Sequence, residues 1–245
     1  MALLHEEKHE DLTYQVRTAG NTRRLYTNGV FHTQHNPDHL FSNAVWDMLS
    51  VPALFAKHTP LSVLMLGVGG GSAIHQLQKL MTPAEIVGID INQVHLKLAE
   101  KYFDLHYQNL KLMHADGIAY VRRCKRKFDL VVDDIFVEAS NPVRPMAMDQ
   151  NWLGQTIRLV SNSGVLIQNH ISTRSINTML KEQQGLLRAE FSSLLIFRAA
   201  TCENAVLVAY RDQASVSQRK GIHQILKQRF GSQVNRLHYS IRTVF

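Results

Sequence analysis

The chain has 245 residues, 45% apolar and 19% charged, a composition that excludes a disordered polymer and is long enough to bury a full hydrophobic core. Two cysteines, Cys124 and Cys202, exclude a disulfide framework and a cysteine-type zinc site. No apolar run approaches the roughly 18 residues a membrane helix needs, and Glu6, Glu7, Lys8, Glu10 and Asp11 stand where a signal peptide would be apolar, so a soluble cytoplasmic protein is expected.

The net charge is +7 and unevenly spread. Residues 211–245 carry Arg211, Arg219, Lys220, Lys227, Arg229, Arg236 and Arg242 against the single acid Asp212, and a second basic cluster runs from Arg122 to Lys127. Such runs serve as solvated helix faces or as contacts for an anionic partner, and no nucleic-acid motif accompanies them.

In chain order, Leu12–Arg17 and Arg24–His32 alternate around Gly20-Asn21, which predicts a β-hairpin with Asn28-Gly29 as a second turn or bulge. From Pro37 the spacing of Leu40, Phe41, Ala44, Val45, Met48 and Leu49 predicts a helix capped by Asp38. Strands are then predicted at Ser62–Leu66, Glu85–Asp90, Leu110–His114, Phe128–Asp134 and Gly164–His170. Helices are predicted at Ser72–Met81, Gln93–Phe103, Ile118–Cys124 and Trp152–Val160. This alternation implies a parallel sheet covered on both faces. Ser193–Phe197 and Ala205–Tyr210 are too close for a crossover helix and must pair as an antiparallel hairpin. Five parallel strands followed by a hairpin give a Rossmann-like, seven-stranded class I methyltransferase-type α/β sheet. A small β-rich region over 1–36 precedes the domain at 37–210, and a basic segment over 211–245 follows it.

The strongest local signal is the strand that runs into Gly67-Val-Gly69-Gly70-Gly71-Ser72 and opens a helix, a backbone that turns sharply and offers N–H groups to a ligand. Asp90 ends the next strand, where a carboxylate can accept ribose hydroxyls. Asp116-Gly117 follows the third strand, as an adenine contact or as a helix N-cap. Together these fit a nicotinamide cofactor or S-adenosylmethionine, and Ser72 stands where the dinucleotide pattern wants Gly or Ala. The fourth strand ends in Asp133-Asp134, whose alternation lets one of them face the cleft; Glu138 lies just beyond. The stretch from Phe136 to Asp149 reads as a loop over the substrate. His170 borders the cleft as a proton acceptor or polar lining residue. His32, His35 and His39 straddle a strand, a loop and a helix start, so no metal site is expected.

These residues resemble the spermidine synthase-like branch of the class I S-adenosylmethionine-dependent methyltransferase fold, from about Tyr14 to Ile171. The resemblance rests on Leu25–His32, the glycine loop, Ile89-Asp90, Ala115-Asp116-Gly117, Phe128–Asp134 and Gly164–Gln168. It implies that Gly67, Gly69, Gly70, Gly71, Asp90, Asp116 and Gly117 hold the nucleoside and that Asp134 is the catalytic acid, with Glu138 beside it. It puts His32, Asp38 and Gln168 on the substrate side, where His170 is placed by its position at the end of the fifth strand. Aminopropyltransferases of this family carry an acid where this chain has Gly70, and their substrate-segment Gln and Tyr read His32 and Phe41 here. Gly70 removes a charge that would repel the methionine carboxylate and leaves helix N-terminal amides for it. A polyamine site needs several carboxylates, and this net basic chain has lost most of those at the matching positions, so the expected function is methyl transfer from S-adenosylmethionine, with no metal. The alternatives are a polyamine aminopropyltransferase using the decarboxylated donor, and a non-catalytic binding module that keeps the nucleoside pocket. The acceptor, a homodimer and an anionic partner for the tail stay open.

Overall fold

The computed structural model describes residues 1–137, 143–214 and 216–245. Glu138 lies outside the described residues.

Strands β1 (Ala2–His9), β2 (Leu12–Ala19), β3 (Thr22–Thr27) and β4 (Val30–His35) form an antiparallel meander rather than one hairpin. Asn28 and Gly29 both take positive φ, 48° and 81°, the backbone that a tight turn between twisted strands requires. β1 is an edge strand with no buried residue. It therefore lacks the apolar alternation by which β2 is recognised.

The helix expected from Pro37 is confined to α1 (Val45–Ser50) and passes into a 3-10 turn over Val51–Phe55. The buried Asp47 carboxylate holds the preceding segment out of a helix. It accepts hydrogen bonds from the amides of Ser42 (2.9 Å) and Asn43 (2.7 Å), the Ser42 hydroxyl (2.8 Å) and Gln76 Nε2 (2.5 Å). Asp38 caps nothing; it is exposed and accepts from Asn21 Nδ2 at 2.7 Å.

The main domain then runs β5 (Ser62–Leu66), α2 (Ser72–Met81), β6 (Glu85–Asp90), α3 (Gln93–Phe103), β7 (Leu110–His114), α4 (Gly117–Arg123) and β8 (Phe128–Asp133). It continues with α5 (Gln150–Arg158), β9 (Val160–His170), α6 (Thr173–Glu190), β10 (Ser193–Arg198), β11 (Ala205–Tyr210), α7 (Arg219–Phe230) and β12 (Ser240–Thr243). The sheet order is β12-β10-β11-β9-β8-β5-β6-β7, with β5 to β9 parallel and β10–β11 antiparallel. All seven anticipated strands are present. The tail adds an eighth, β12, antiparallel to β10. Strand order reverses at β5 and β8, which is where an open α/β sheet leaves a crevice at its carboxyl edge.

Apolar strand residues of opposite parity feed two cores, one under α1, α2 and α7 and one under α4, α5 and α6. The N-terminal sheet packs on α3 through Tyr14, Val16, Leu25, Val94, Leu98 and Phe103.

The basic segment over 211–245 is part of this structure. Ile222, Leu226, Val234 and Leu237 lie in the first core. Several of its cations end as hydrogen-bond donors: Arg229 reaches the carbonyls of Lys79 and Leu80, each at 2.8 Å, where α2 ends. Arg211 pairs with Glu190 at 2.6 Å. A cation at a helix C-terminus satisfies its last carbonyls and complements its dipole. Leu226→Ala should therefore cost about 2–5 kcal/mol and shift one cooperative denaturant transition. An unchanged midpoint would show the tail to be an independent appendage.

Candidate active site

A cavity of about 800 Å³ opens over the carboxyl ends of β5 to β9 and is closed on the far side by the N-terminal sheet. Gly67 forms its floor. With φ at +85°, a Cβ there would lie 2.2 Å from the Asp134 carbonyl oxygen, so the strand-end crossing accepts only glycine.

Asp90 is almost fully buried, and its Oδ2 accepts from the amides of Val68 (2.8 Å) and Gly69 (2.9 Å) while Oδ1 accepts from Asn92 N (2.8 Å). The carboxylate thus shapes the glycine loop: Oδ2 has both lone pairs engaged by the loop amides, and Oδ1 keeps one for a ligand. Burial pushes its pKa up, against the pull of the three amides. Asp116 caps α4, accepting from Ile118 N at 2.8 Å, and also lines the cavity. Gly117 borders the same wall, where a side chain would strike Ile135.

Asp133 and Asp134 divide as strand alternation requires. Asp133 is fully buried. It accepts two bonds from the Arg144 guanidinium (2.6 and 2.7 Å), one from Trp152 Nε1 (2.8 Å) and one from Gln168 Nε2 (3.1 Å). Asp134 faces the cavity and accepts from Asn169 Nδ2 at 2.7 Å. Burial lifts its carboxyl to about 7, opposed by the Asn169 bond and the Arg144 charge and helped by Asp133 and Asp90. A carboxyl at that value is poised for proton exchange near neutrality.

Several expected site residues lie elsewhere. Asp133 registers opposite Gln168, so Gln168 and His170 share the face that points away from the cavity, and Asn169 between them takes the cleft side. Gln168 is buried behind Asp133. His170 is also buried, with Nδ1 3.3 Å from the Ser175 hydroxyl, and burial lowers its pKa to about 3, which removes it as a proton acceptor near neutrality. Asp38 is exposed outside the cavity. Gly69 lines it, but Gly70 and Gly71 do not. A Cβ on Gly70 would meet Thr33 Cγ2 at 2.1 Å, and one on Gly71 would meet Leu105 at 2.6 Å. Position 70 therefore points toward the N-terminal sheet and not toward a bound donor. Of the loop amides before α2, those of Val68 and Gly69 bind Asp90, and Gly71 N donates to the Val68 carbonyl at 2.9 Å.

His32 does line the cavity, its Nε2 buried without a partner and its ring 4.7 Å from that of His95. Burial lowers both imidazoles to about 4, so both are neutral near pH 7. Sequence reasoning missed Asn169, Arg144 and the His9-Glu10 tip between β1 and β2, which reaches the same cavity. Only Asn169 had a signal, the parity of its strand. The lining thus contains four carboxylates, Glu10, Asp90, Asp116 and Asp134, and among the described residues no lysine or arginine. None of the described residues forms a cluster suited to a metal ion, and no helix among them is long and apolar enough to cross a membrane.

A family model described as the spermine/spermidine synthase domain matches residues 42–201. A polyamine aminopropyltransferase of Xylella fastidiosa (strain M23) is 28% identical over 145 residues, 56% of this chain and 50% of the relative. The chain spans about half the length of the curated relatives it matches. Among solved structures, a spermidine synthase in complex with the transition-state analogue AdoDATO superimposes with a TM-score of 0.70 at 13% identity, covering 94% of this chain and 88% of that one. Human methyltransferase-like protein 13 in complex with SAH gives 0.54 at 20% identity, covering 78% and 89%. Both share the fold.

The geometry separates the two strand-end acids experimentally. Asp133→Ala strands the buried Arg144 charge and should destabilise the protein by about 3–5 kcal/mol, whereas Asp134→Asn should unfold at or above the wild-type denaturant midpoint at pH 8. The reason is that a carboxyl whose folded pKa is raised above its unfolded value loses stability as pH rises through about 7. Equal destabilisation by both variants would contradict the division.

Proposed function

The chain belongs to the spermine/spermidine synthase family, and from that membership we propose that it transfers an aminopropyl group from decarboxylated S-adenosylmethionine to an amine acceptor of the polyamine class. The observation that carries this reading is the charge of the cavity: among the described residues, four carboxylates and no lysine or arginine line it, in a chain whose net charge is +7. Sulfonium donors and amine acceptors are cations, and buried carboxylates offset their desolvation. A donor carboxylate would meet like charge there, and the loop amides of Val68, Gly69 and Gly71 are already bonded. The methyl-transfer expectation rested on Gly70, where a side chain would point toward the N-terminal sheet, and on a shortage of polyamine carboxylates, against which four carboxylates line the cavity.

In this reading Asp90 and Asp116 hold the nucleoside, and the crevice aligns donor and acceptor, which supplies much of the rate through orientation. The acceptor's nitrogen lone pair attacks the propyl methylene bonded to sulfur. The N–C bond forms as the C–S bond breaks, and the bonding electrons leave with sulfur as a neutral thioether. Asp134 attracts the cationic amine and takes the proton that the nitrogen sheds, and Asn169 fixes its carboxylate.

Thioether nucleoside release from decarboxylated donor and putrescine tests the proposal. Turnover should rise with pH through about 7 as Asp134 ionises, and Asp134→Asn should lower it by about 10²-fold or more. Methyl transfer from S-adenosylmethionine without aminopropyl transfer would overturn the reading.

A further inference from the structure

A second cavity, of about 560 Å³, lies behind the first, between β4, the outer face of α2 and the turn after α7. The two share a wall. On β4, His32 faces the first cavity and Gln34 and His35 the second. On α2, Ala73 faces the first and Ser72, His75 and Lys79 the second. The wall is sealed by hydrogen bonds from Thr33 Oγ1 to Ser72 Oγ (2.6 Å) and from Ser72 Oγ to the Gln34 carbonyl.

Its electrostatics are the reverse of the first cavity's. Arg24 from β3, Lys79 from α2 and Arg236 near the C-terminus converge on it against a single lining acid, Asp104. That acid is already held by Arg23 at 2.9 Å. Lys79 and Arg236 form no ion pair with any of the described residues. Arg24 Nε is buried without a hydrogen-bond partner, while its Nη1 lies 3.4 Å from the Met1 sulfur and its guanidinium 5.6 Å over the Phe31 ring. Three cations from separate elements line this one concavity, a field that favours an anionic ligand.

The remaining lining is suited to a ring. His35 and His75 stack with centroids 4.2 Å apart. His75 Nε2 must donate to the Phe103 carbonyl (2.7 Å), and its neutral Nδ1 accepts from the Tyr107 hydroxyl (2.7 Å), so the aromatic wall is held rigidly. Phe41 and Phe230 add apolar surface.

We infer that this second cavity binds a phosphate monoester carrying a planar or apolar body, its phosphate among Arg24, Lys79 and Arg236 and its body against His35, His75 and Phe230. The inference does not depend on the aminopropyl reading, because it concerns a different cavity of opposite charge.

Calorimetry with phenyl phosphate tests it on the full chain. Phenyl phosphate should bind with one-to-one stoichiometry, weaken with added salt, and bind more tightly than orthophosphate. An Arg24→Gln/Arg236→Gln variant should lose at least tenfold in affinity while keeping its circular dichroism and donor binding. The exposed Lys79→Gln substitution, which leaves the buried wall untouched, should lose affinity in the same direction. Asp90→Ala should leave phenyl phosphate binding unchanged. No binding up to millimolar concentrations, equal affinity in wild type and Lys79→Gln, or loss of binding in Asp90→Ala would each overturn the assignment. Loss of aminopropyl transfer with phenyl phosphate binding intact would instead overturn only the function proposed for the first cavity.

Discussion

A guanidinium buried against a carboxylate at the tip of β8 is the contact on which the site depends. Arg144 arrives from the covering segment between β8 and α5, binds both oxygens of Asp133 and donates to the Asn169 carbonyl at 2.8 Å. One side chain thus ties the covering segment to the ends of β8 and β9. A buried ion pair is tolerable only when its remaining polar capacity is met, and here Trp152 and Gln168 complete the Asp133 shell. Among the described residues the adjacent Asp134 is bound by no such cation and accepts from the Asn169 amide. Two neighbouring aspartates consequently behave as opposites. One is a neutralised anchor, and the other is a carboxyl lifted to about 7 that faces the cavity.

Charge is sorted across the molecule in the same way. The excess positive charge of the chain lies outside the first cavity, in part as donors to helix-end carbonyls by Arg229 and in the second cavity as Arg24, Lys79 and Arg236. The first cavity collects carboxylates from four separate strand tips or turns. A single wall, made of β4 and the start of α2, separates the two fields.

Much of the fold was legible because buried parallel strands and amphipathic helices carry strong periodic signals: the limits of β5, α2, β6, α3 and β7 are those read from the sequence. Elements without a periodic apolar face were not. β1 is an exposed edge, β12 has no buried residue, and α6 buries Ile176, Met179, Leu180 and Leu187 among 18 mostly polar positions. Helix α1 is short because Asp47 binds the backbone before it, a contact invisible to a periodicity argument. In the site, local order located Asp90, Asp116 and Asp134, since each ends or follows a strand. Choosing Gln168 and His170 over Asn169 was an error of parity, because the pairing of Asp133 with Gln168 is a register that no single strand reveals. The direction of Gly70 depends on loop dihedrals, and Glu10 reaches the cavity from a hairpin about 80 residues before Asp90. Neither leaves a trace in local sequence.

The central claim is that an anionic cavity selects a donor lacking a carboxylate. Paired calorimetric titrations with decarboxylated and with intact S-adenosylmethionine address it most directly. The account predicts that the decarboxylated form binds at least tenfold more tightly, about 1.4 kcal/mol or more. Equal affinities, or tighter binding of intact S-adenosylmethionine, would contradict it.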